Sequence, residues 1–490
     1  MIGTKLIRLI KTFSPDEIKS FEKFIDSPYF NSVKNYITFF KEIKKFYPEF
    51  NDSNLKREYI YKKLYKGKPF NKQVMWNLTS KLEKLTEEFL IQRKLEANEY
   101  YRYSLLLVDL SQRELYNYYK SKLNDFEKYS NSLLIGEEHE TGIDYFKVKW
   151  KVSTSRGVYA QLLDRLALIG KIPVERSGYQ LCGFIQHLAQ DFYNMHFLEK
   201  TYNLSFDLNI PLLIFRELDL KKLIEELKYS KFKNTWILEF YYYKIMCLLE
   251  KNKEEHFTNF RKIFNEQYEQ FSSQENYNTA ATLTNYCLEK ISEGKLKYRE
   301  ILFEINKFRL NENMFLSGGV FRKTLYIQIL NTALSVSKIE WAEEFINKYS
   351  KYLKSDIRES IENLGKAFVY FKLKQYGDVH DSLNKVGFVD ITDKLNVKNL
   401  IARTYYEKKE FEILLYHIDS TKHFLRNNKN ISSSHKELHD NFYDFLHELV
   451  IAKDKNDVAK LRSLRKLLSR DITAIHREWL IENILEKDFR

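Results

Sequence analysis

Two histidines four residues apart, His435 and His439, are the pattern in this 490-residue chain that comes nearest to a chemical site. On a helix this spacing places both imidazoles on one face, where they could share a zinc ion. The metalloprotease patterns also need a glutamate directly after the first histidine or directly before the second, where this chain has Lys436 and Leu438. A capping box would moreover place His435 in the first turn of its helix. We therefore expect structural or surface histidines, with a metal site at His435 and His439 as the alternative.

Other signatures of catalysis are absent from the sequence. It contains no Gly-x-Ser-x-Gly elbow, no dinucleotide-binding fingerprint and no paired-cysteine zinc ribbon. The three cysteines, Cys182, Cys247 and Cys287, are far apart and lack the spacing of a zinc site or a disulfide framework. We expect buried thiols, no catalytic residues and no cofactor. An enzyme would need a site assembled from distant sections.

The basic segment 56–72 is a candidate for contact with nucleic acid. It contains seven bases and one acid, Glu58, and tyrosines are interleaved with the lysines. Cations on two helices around a short turn could meet phosphates, but lysine stems also commonly cover the apolar surface of a small helical unit. A second basic run, 453–470, has leucines on its inner face and is interpreted as the outer face of a terminal hairpin. The candidate phosphate contacts are Lys62, Lys63, Lys66 and Lys68.

A glycine pair offers a third candidate site. Ser317, Gly318 and Gly319 precede a helix predicted to start near Val320, and two bases follow, so free amides at the helix start could hold an anion. An ordinary turn between two hairpins is the simpler interpretation, and we expect that turn.

Composition limits the fold to helices. The chain is 44% hydrophobic and 30% charged, with a formal net charge of +13, which is typical of a folded protein. Only 14 glycines and 6 prolines occur, whereas sandwiches, barrels and doubly wound sheets need frequent turn residues. Charges interrupt each short apolar run at the N-terminus, and no apolar run is long enough to cross a bilayer. These features predict an all-α, cytoplasmic protein without a membrane span.

The helical pattern changes along the chain and predicts three sections. Residues 1–95 form an N-terminal helical unit with a helix-turn-helix-like basic segment at 55–94, and Ser14-Pro15-Asp16-Glu17 predicts a capping box within it. Residues 96–230 form an irregular helical section without a repeat. Residues 231–490 form an array of helical hairpins with a capping helix at the end. The predicted hairpins are 234–271, 276–309, 317–353, 357–388, 393–427 and 432–470, and the predicted last helix is 472–487.

Three of these hairpins share a frame of 35 residues. Thr332, Ala367 and Ala402 are small residues in this frame, so that the first helix of each hairpin can approach its partner closely. Aromatic or apolar residues recur around them and would fill the groove between successive hairpins. The later members of the frame are Val336, Phe371 and Tyr406, followed by Trp341, Tyr376 and Phe411.

In residues 332–427 this pattern resembles the tetratricopeptide repeat. That family places a small residue on the first helix, aromatics three and four positions later, and another aromatic nine positions later. The small residue early in the second helix and the final proline of that family are missing here. The resemblance implies an α-solenoid, and the whole chain is similar to large bacterial helical-repeat proteins that carry no assigned activity.

The architecture favours a binding function. Helical repeats offer long grooves, and function in such proteins usually lies there. We expect a non-enzymatic scaffold that binds a protein or peptide on the concave face of the array, with Tyr370, Lys374 and Tyr405 as candidate groove residues. The first alternative is a regulator that binds nucleic acid through 56–72. The second alternative is an enzyme.

Overall fold

The structure is a computed structural model, and it describes residues 3–31, 33–50, 55–136, 144–163, 165, 169–202, 204–230, 232–387, 390–428, 431, 433–468 and 474–484. The chain divides into two compact units. Unit 1 comprises Met1–Leu133, His139–Phe184 and Ser230–Phe232, and unit 2 comprises Leu134–Glu138, Ile185–Tyr229 and Lys233–Arg490. The predicted middle section, 96–230, is shared between them.

Unit 1 begins with five helices around an aromatic core. Ser14 starts the second helix with the predicted capping box, because its Oγ accepts from the Glu17 N–H and the Glu17 carboxylate accepts from the Ser14 N–H. At the centre of the core, the ring of Phe21 lies 4.9 Å from Phe40 and 5.1 Å from Phe89. The five helices are α1 (Lys5–Lys11), α2 (Pro15–Asp26), α3 (Lys34–Lys44), α4 (Arg57–Leu64) and α5 (Lys72–Ala97).

The rest of unit 1 is also helical. A Cβ placed on Gly178 would lie 2.4 Å from the ring of Phe232, so this close approach requires glycine. The helices are α6 (Glu99–Gln112), α7 (Tyr116–Ser132), α8 (Tyr145–Leu162) and, up to Phe184, α9 (Ile172–Tyr202).

Six helical hairpins follow one another in unit 2, each made of a first helix, a short joint and a second helix. These helix pairs match the six predicted hairpins, except that the third pair begins at Lys323 and not at 317. Two short helices, α10 (Ile210–Glu217) and α11 (Leu220–Lys228), precede them. The hairpins are α12 (Thr235–Leu249) with α13 (Glu254–Gln267), α14 (Ser273–Ser292) with α15 (Tyr298–Asn311), α16 (Lys323–Ser335) with α17 (Ile339–Tyr349), α18 (Arg358–Lys372) with α19 (Tyr376–Leu383), α20 (Ile391–Glu407) with α21 (Phe411–Asn427), and α22 (Ser433–Asp454) with α23 (Val458–Leu468).

Successive hairpins bury their apolar faces against one another. The first helices α16 and α18 are in contact, as are α18 and α20, and a continuous apolar core passes between these hairpins. The last helix, α24 (Arg477–Glu482), packs on α22 and α23, and its Leu480 is fully buried. Repetition of one supersecondary unit therefore builds the core of this array.

One backbone device closes the joint in most of these hairpins. A residue with a left-handed conformation follows the first helix. The N–H of the next residue donates to the helix carbonyl five positions earlier, as Gln375 N–H does to the Tyr370 oxygen at 2.9 Å. Glycine is usual at this place because it has no Cβ. In unit 2 the left-handed joint residues are Gly294, Ser337, Lys374, Lys409 and Asn456.

The joints also define the register of the hairpins. Lys409 follows Lys374 by 35 residues, as the sequence frame requires, but Lys374 follows Ser337 by 37. Relative to the 35-residue frame, α16 thus ends two residues earlier than α18 and α20 do. As a result, Thr332 lies five residues before its joint residue, whereas Ala367 and Ala402 lie seven residues before theirs.

The glycine pair near residue 318 corrects one expectation. The helix predicted near Val320 begins only at Lys323, because Leu316–Ser317 (β1) and Val320–Phe321 (β2) pair as a small antiparallel hairpin. Gly318 and Gly319 both have positive φ, as a two-residue hairpin turn demands. The expected turn is present, but it connects two strands.

The all-α prediction is confirmed by the described residues, in which helices dominate and the paired strands are two residues long. None of the helices in this part of the chain combines the length and the apolar character needed to cross a bilayer.

Candidate functional site

Unit 2 contains a pocket of about 650 Å³, which we call the joint pocket. Much of its lining comes from equivalent positions on successive first helices. We number these positions backwards from the left-handed joint residue that follows each helix. Residues six, three and two places before that residue line the pocket. They are Asn331, Phe368 and Arg403 at six places, Ile291, Leu334 and Phe371 at three, and Ser292, Ser335 and Lys372 at two.

The spacing of these positions explains why they meet. Places six, three and two before the joint have the separations i, i+3 and i+4, which lie on one face of a helix. The last turns of α14, α16 and α18 therefore present one common wall. A single residue of α20, Arg403, extends that wall.

The C-terminal segment and the start of α22 form the opposite wall. Leu438 belongs to α22, and its carbonyl accepts a hydrogen bond from the Ile475 N–H at 3.2 Å, which ties the segment to that helix. The segment lines the pocket with charged and aromatic side chains. They are His476, Arg477, Glu478, Trp479 and Glu482.

Arg403 brings a buried, unpartnered donor to this pocket. Its guanidinium carbon lies 4.7 Å from the centre of the Phe371 ring. Its Nε is closed off from water and has no hydrogen-bond partner among the described residues. Burial lowers the pKa of Arg403 to about 10, so the group remains charged at neutral pH. A buried donor without an acceptor costs about 1–3 kcal/mol, and more when it is charged, so a ligand oxygen here would be stabilising.

Two other arginines of the pocket are already engaged. Arg299 forms an ion pair with Glu478. Arg477 donates from Nε to the carbonyl oxygen of Leu468, at 2.5 Å. Their cationic groups are therefore used in holding the C-terminal segment.

The remaining titratable groups set the net character of the pocket. His476 is half-buried, and its desolvation, followed by the nearby Arg403 and His439, holds its pKa well below the usual value. It is therefore neutral at pH 7. Lys372, at the end of α18, is exposed and has no ion-pair partner among the described residues. Arg403 and Lys372 are thus the two cations open to a ligand.

On α20, the same helix face already binds a side chain of this protein, that of Trp479. On α20, the positions three and two places before the joint are Tyr406 and Glu407, and both contact Trp479 of α24. The Trp479 ring lies 5.1 Å from the Tyr406 ring, and its Nε1 donates to the Glu407 carboxylate at 2.9 Å. The equivalent positions on α18 are Phe371 and Lys372, which line the joint pocket instead.

The candidate groove residues from the sequence lie beside other elements. Tyr370 borders a groove between α17 and α18, together with Ile346. The half-buried ring of Tyr405 lies 5.6 Å from His380 on α19. Lys374 is the exposed left-handed residue of its joint. All three are absent from the lining of the joint pocket.

The candidate metal ligands belong to α22. The backbone of His435 is helical, but its side chain lies outside the described residues. The half-buried His439 has its Nδ1 3.4 Å from the amide nitrogen of Asn399, whose oxygen accepts from the buried Tyr443 hydroxyl at 2.9 Å. Within the described part of the chain, no three His, Cys, Asp or Glu residues are grouped so that they could hold a metal ion.

The candidate phosphate contacts lie in unit 1. Lys62 and Lys63 are in the last turn of α4, and Lys66 and Lys68 are in the turn that leads to α5. All four are exposed. The three cysteines are buried, and burial raises the pKa of each thiol to about 12.

Comparison with known proteins adds no assignment, because no family model, curated protein or solved structure matches the chain.

The sequence analysis did not predict the residues that line the joint pocket. The 35-residue frame passes through Ala402 and Tyr405 but gives Arg403 no role. The signal that would reveal it is the i, i+3, i+4 triplet before each joint. That triplet is hidden because Ser337 and Lys374 occupy left-handed positions where glycine or asparagine would mark a joint.

Proposed function

We propose that this protein is a cytoplasmic, non-enzymatic binding module that captures an acidic peptide segment of another protein on the first-helix face of its hairpin array. The observation that carries the proposal is the joint pocket, where the buried Nε of Arg403 has no hydrogen-bond acceptor among the described residues. A carboxylate is the most common planar partner for a guanidinium in proteins.

The composition of the pocket supports a peptide rather than a lone ion. Apolar and aromatic side chains, among them Leu334, Phe368 and Phe371, line it beside the two available cations. Ligand sites typically combine such apolar walls with a few polar groups that fix orientation. An acidic residue flanked by apolar ones would satisfy both parts.

The docking of α24 supports the same mode of binding. Trp479 places an aromatic ring on Tyr406 and donates to Glu407. Lys372 replaces that glutamate at the equivalent position on α18, so the complementary partner group there is an anion. The position two places before the joint residue thus carries a positive charge on α18 and a negative charge on α20.

A peptide-display selection against the full chain tests this function. We expect the enriched peptides to contain an acidic residue beside apolar ones. Their binding should weaken at least about tenfold when Arg403→Met removes the charge but keeps an apolar side chain over Phe371. Lys351→Gln, which changes an exposed lysine away from the pocket, is the matched control and should bind normally. Failure to enrich any peptide, or equal binding by Arg403→Met, would contradict the proposal.

A further inference from the structure

A second surface, in unit 1, is independent of the joint pocket. It consists of the exposed side of α4, the turn after it and the first turns of α5, and we call it the basic surface. Six lysines on it are exposed. They are Lys56, Lys62, Lys63, Lys66, Lys68 and Lys72.

The charges of the basic surface are close together in the sequence, and the fold leaves them without ion-pair partners among the described residues. On the neighbouring helix α3, by contrast, Lys44 pairs with Glu22 and Lys45 pairs with Glu42. The nearest acid in the segment, Glu58, offsets only one charge. A concentrated positive field therefore faces solvent, and the positive end of the α5 dipole adds to it.

Exposed aromatic rings accompany these charges. Tyr59 is 40% exposed, Phe70 is 38% exposed and Trp76 is 56% exposed. Trp76 follows Lys72 by four residues on α5, so the two side chains share one helix face. Lys63 lies over the Tyr59 ring, with Nζ 5.5 Å from the ring centre. Exposed rings and cations are therefore neighbours at Lys63 and Tyr59 and share a helix face at Lys72 and Trp76.

We propose that the basic surface binds single-stranded nucleic acid, with the lysines on phosphates and the exposed rings, Trp76 above all, stacked on bases. Proteins that bind single strands combine a cationic track with aromatic platforms, because every base has a face on which a ring can stack. An exposed tryptophan contributes little to a surface that only follows the phosphates of a duplex.

An anionic membrane is a poorer match for the same residues. Interfacial helices bury a whole apolar face in the lipid. Here the apolar faces of α4 and α5 are committed to the core of unit 1, where Ile60 and Met75 are fully buried. Three isolated rings remain to enter a bilayer.

Fluorescence anisotropy of a labelled oligothymidylate, titrated with the full chain over a series of salt concentrations, tests this proposal. Changing Lys62, Lys63, Lys66 and Lys68 together to glutamine should weaken binding at least about tenfold and reduce the slope of log affinity against log salt by about 3. Trp76→Ala should weaken binding at least about fivefold and leave that slope unchanged, because stacking releases no counterions. Trp76→Phe should restore most of the affinity.

The control changes the same number of charges elsewhere. Gln at Lys338, Lys348, Lys351 and Lys354, which are exposed in unit 2, should leave affinity within about twofold of the original. Circular dichroism confirms that each variant folds. The proposal is overturned if the control weakens binding as much as the first set, or if neither set nor Trp76→Ala changes it. Binding to vesicles of equal parts phosphatidylcholine and phosphatidylglycerol, without binding to the strand, also overturns it.

Discussion

Arg403 shows how a single residue can reveal a site that its sequence neighbourhood conceals. It lies between Ala402, which is fully buried, and Thr404, whose hydroxyl donates to the carbonyl of Leu400 within the same helix. In the described part of the chain, its own Nε has no acceptor. Nearly all buried polar groups in proteins are paired, so an unpaired arginine Nε beside a pocket is informative. The Nε of Arg358, beside a smaller pocket, is also without a partner among the described residues, but that guanidinium already donates to the carbonyl oxygens of Lys351 and Leu353. Arg403 also faces apolar walls, and this combination makes the joint pocket the candidate site.

The joint residues give the first stability prediction. Lys374 has a φ of +62°, a conformation that costs a residue with a Cβ about 1 kcal/mol or more. Lys374→Gly should therefore raise the free energy of unfolding by about 0.5–1 kcal/mol. Lys372→Gly, two residues earlier and still helical, should lower it by about the same amount. Guanidinium unfolding of both variants measures the difference, and destabilisation by Lys374→Gly would show that the left-handed assignment is wrong.

At the scale of elements, the sequence predicted most of the helices because their signals are local. The residues of the capping box at Ser14 are three positions apart. The change from an apolar helix to a polar joint is likewise visible within a few residues of sequence. The short strands around Gly318 were missed, since two-residue strands have no periodicity to detect. The two-residue slip between the third and fourth hairpins was missed because Ser337 and Lys374 carry no turn signature. The pairing of Lys244 with Glu275 joins residues 31 positions apart and has no local signal.

That ion pair holds the first two hairpins together. Lys244 on α12 and Glu275 on α14 lie 3.0 Å apart, and both side chains are 8% exposed. Lys244→Met should cost about 3 kcal/mol because it leaves the glutamate buried and unpaired. Denaturant midpoints should show this loss, and they should show a smaller loss when Glu275→Leu is added.

A matched pair between the same hairpins provides the control. Lys251 and Glu289 lie 2.7 Å apart but are about one-third exposed. Lys251→Met should therefore cost less than about 1 kcal/mol. Equal losses at Lys244 and Lys251, or no recovery in the double variant, would mean that burial of the first pair does not determine its contribution.

At the scale of the whole molecule, the sequence predicted the all-α class and the six hairpins but not the place where their surfaces meet. The joint pocket needs residues from 291 to 482, and the rotation between successive hairpins decides which of them converge. Tyr370 and Tyr405 were natural candidates because the repeat frame selects residues that pack. Phe371 belongs to that frame and also lines the joint pocket, whereas Lys372 and Arg403 line it from positions outside the frame.

Hydrogen–deuterium exchange of the full chain, with and without a peptide from the display selection, tests the central claim most directly. A peptide in the joint pocket should slow exchange in the last turns of the first helices, at 331–337, 368–374 and 403–409, and leave α17 and α19 unchanged. Slower exchange confined to α17 and α19, or to unit 1, would contradict it, because the peptide would then bind outside the joint pocket.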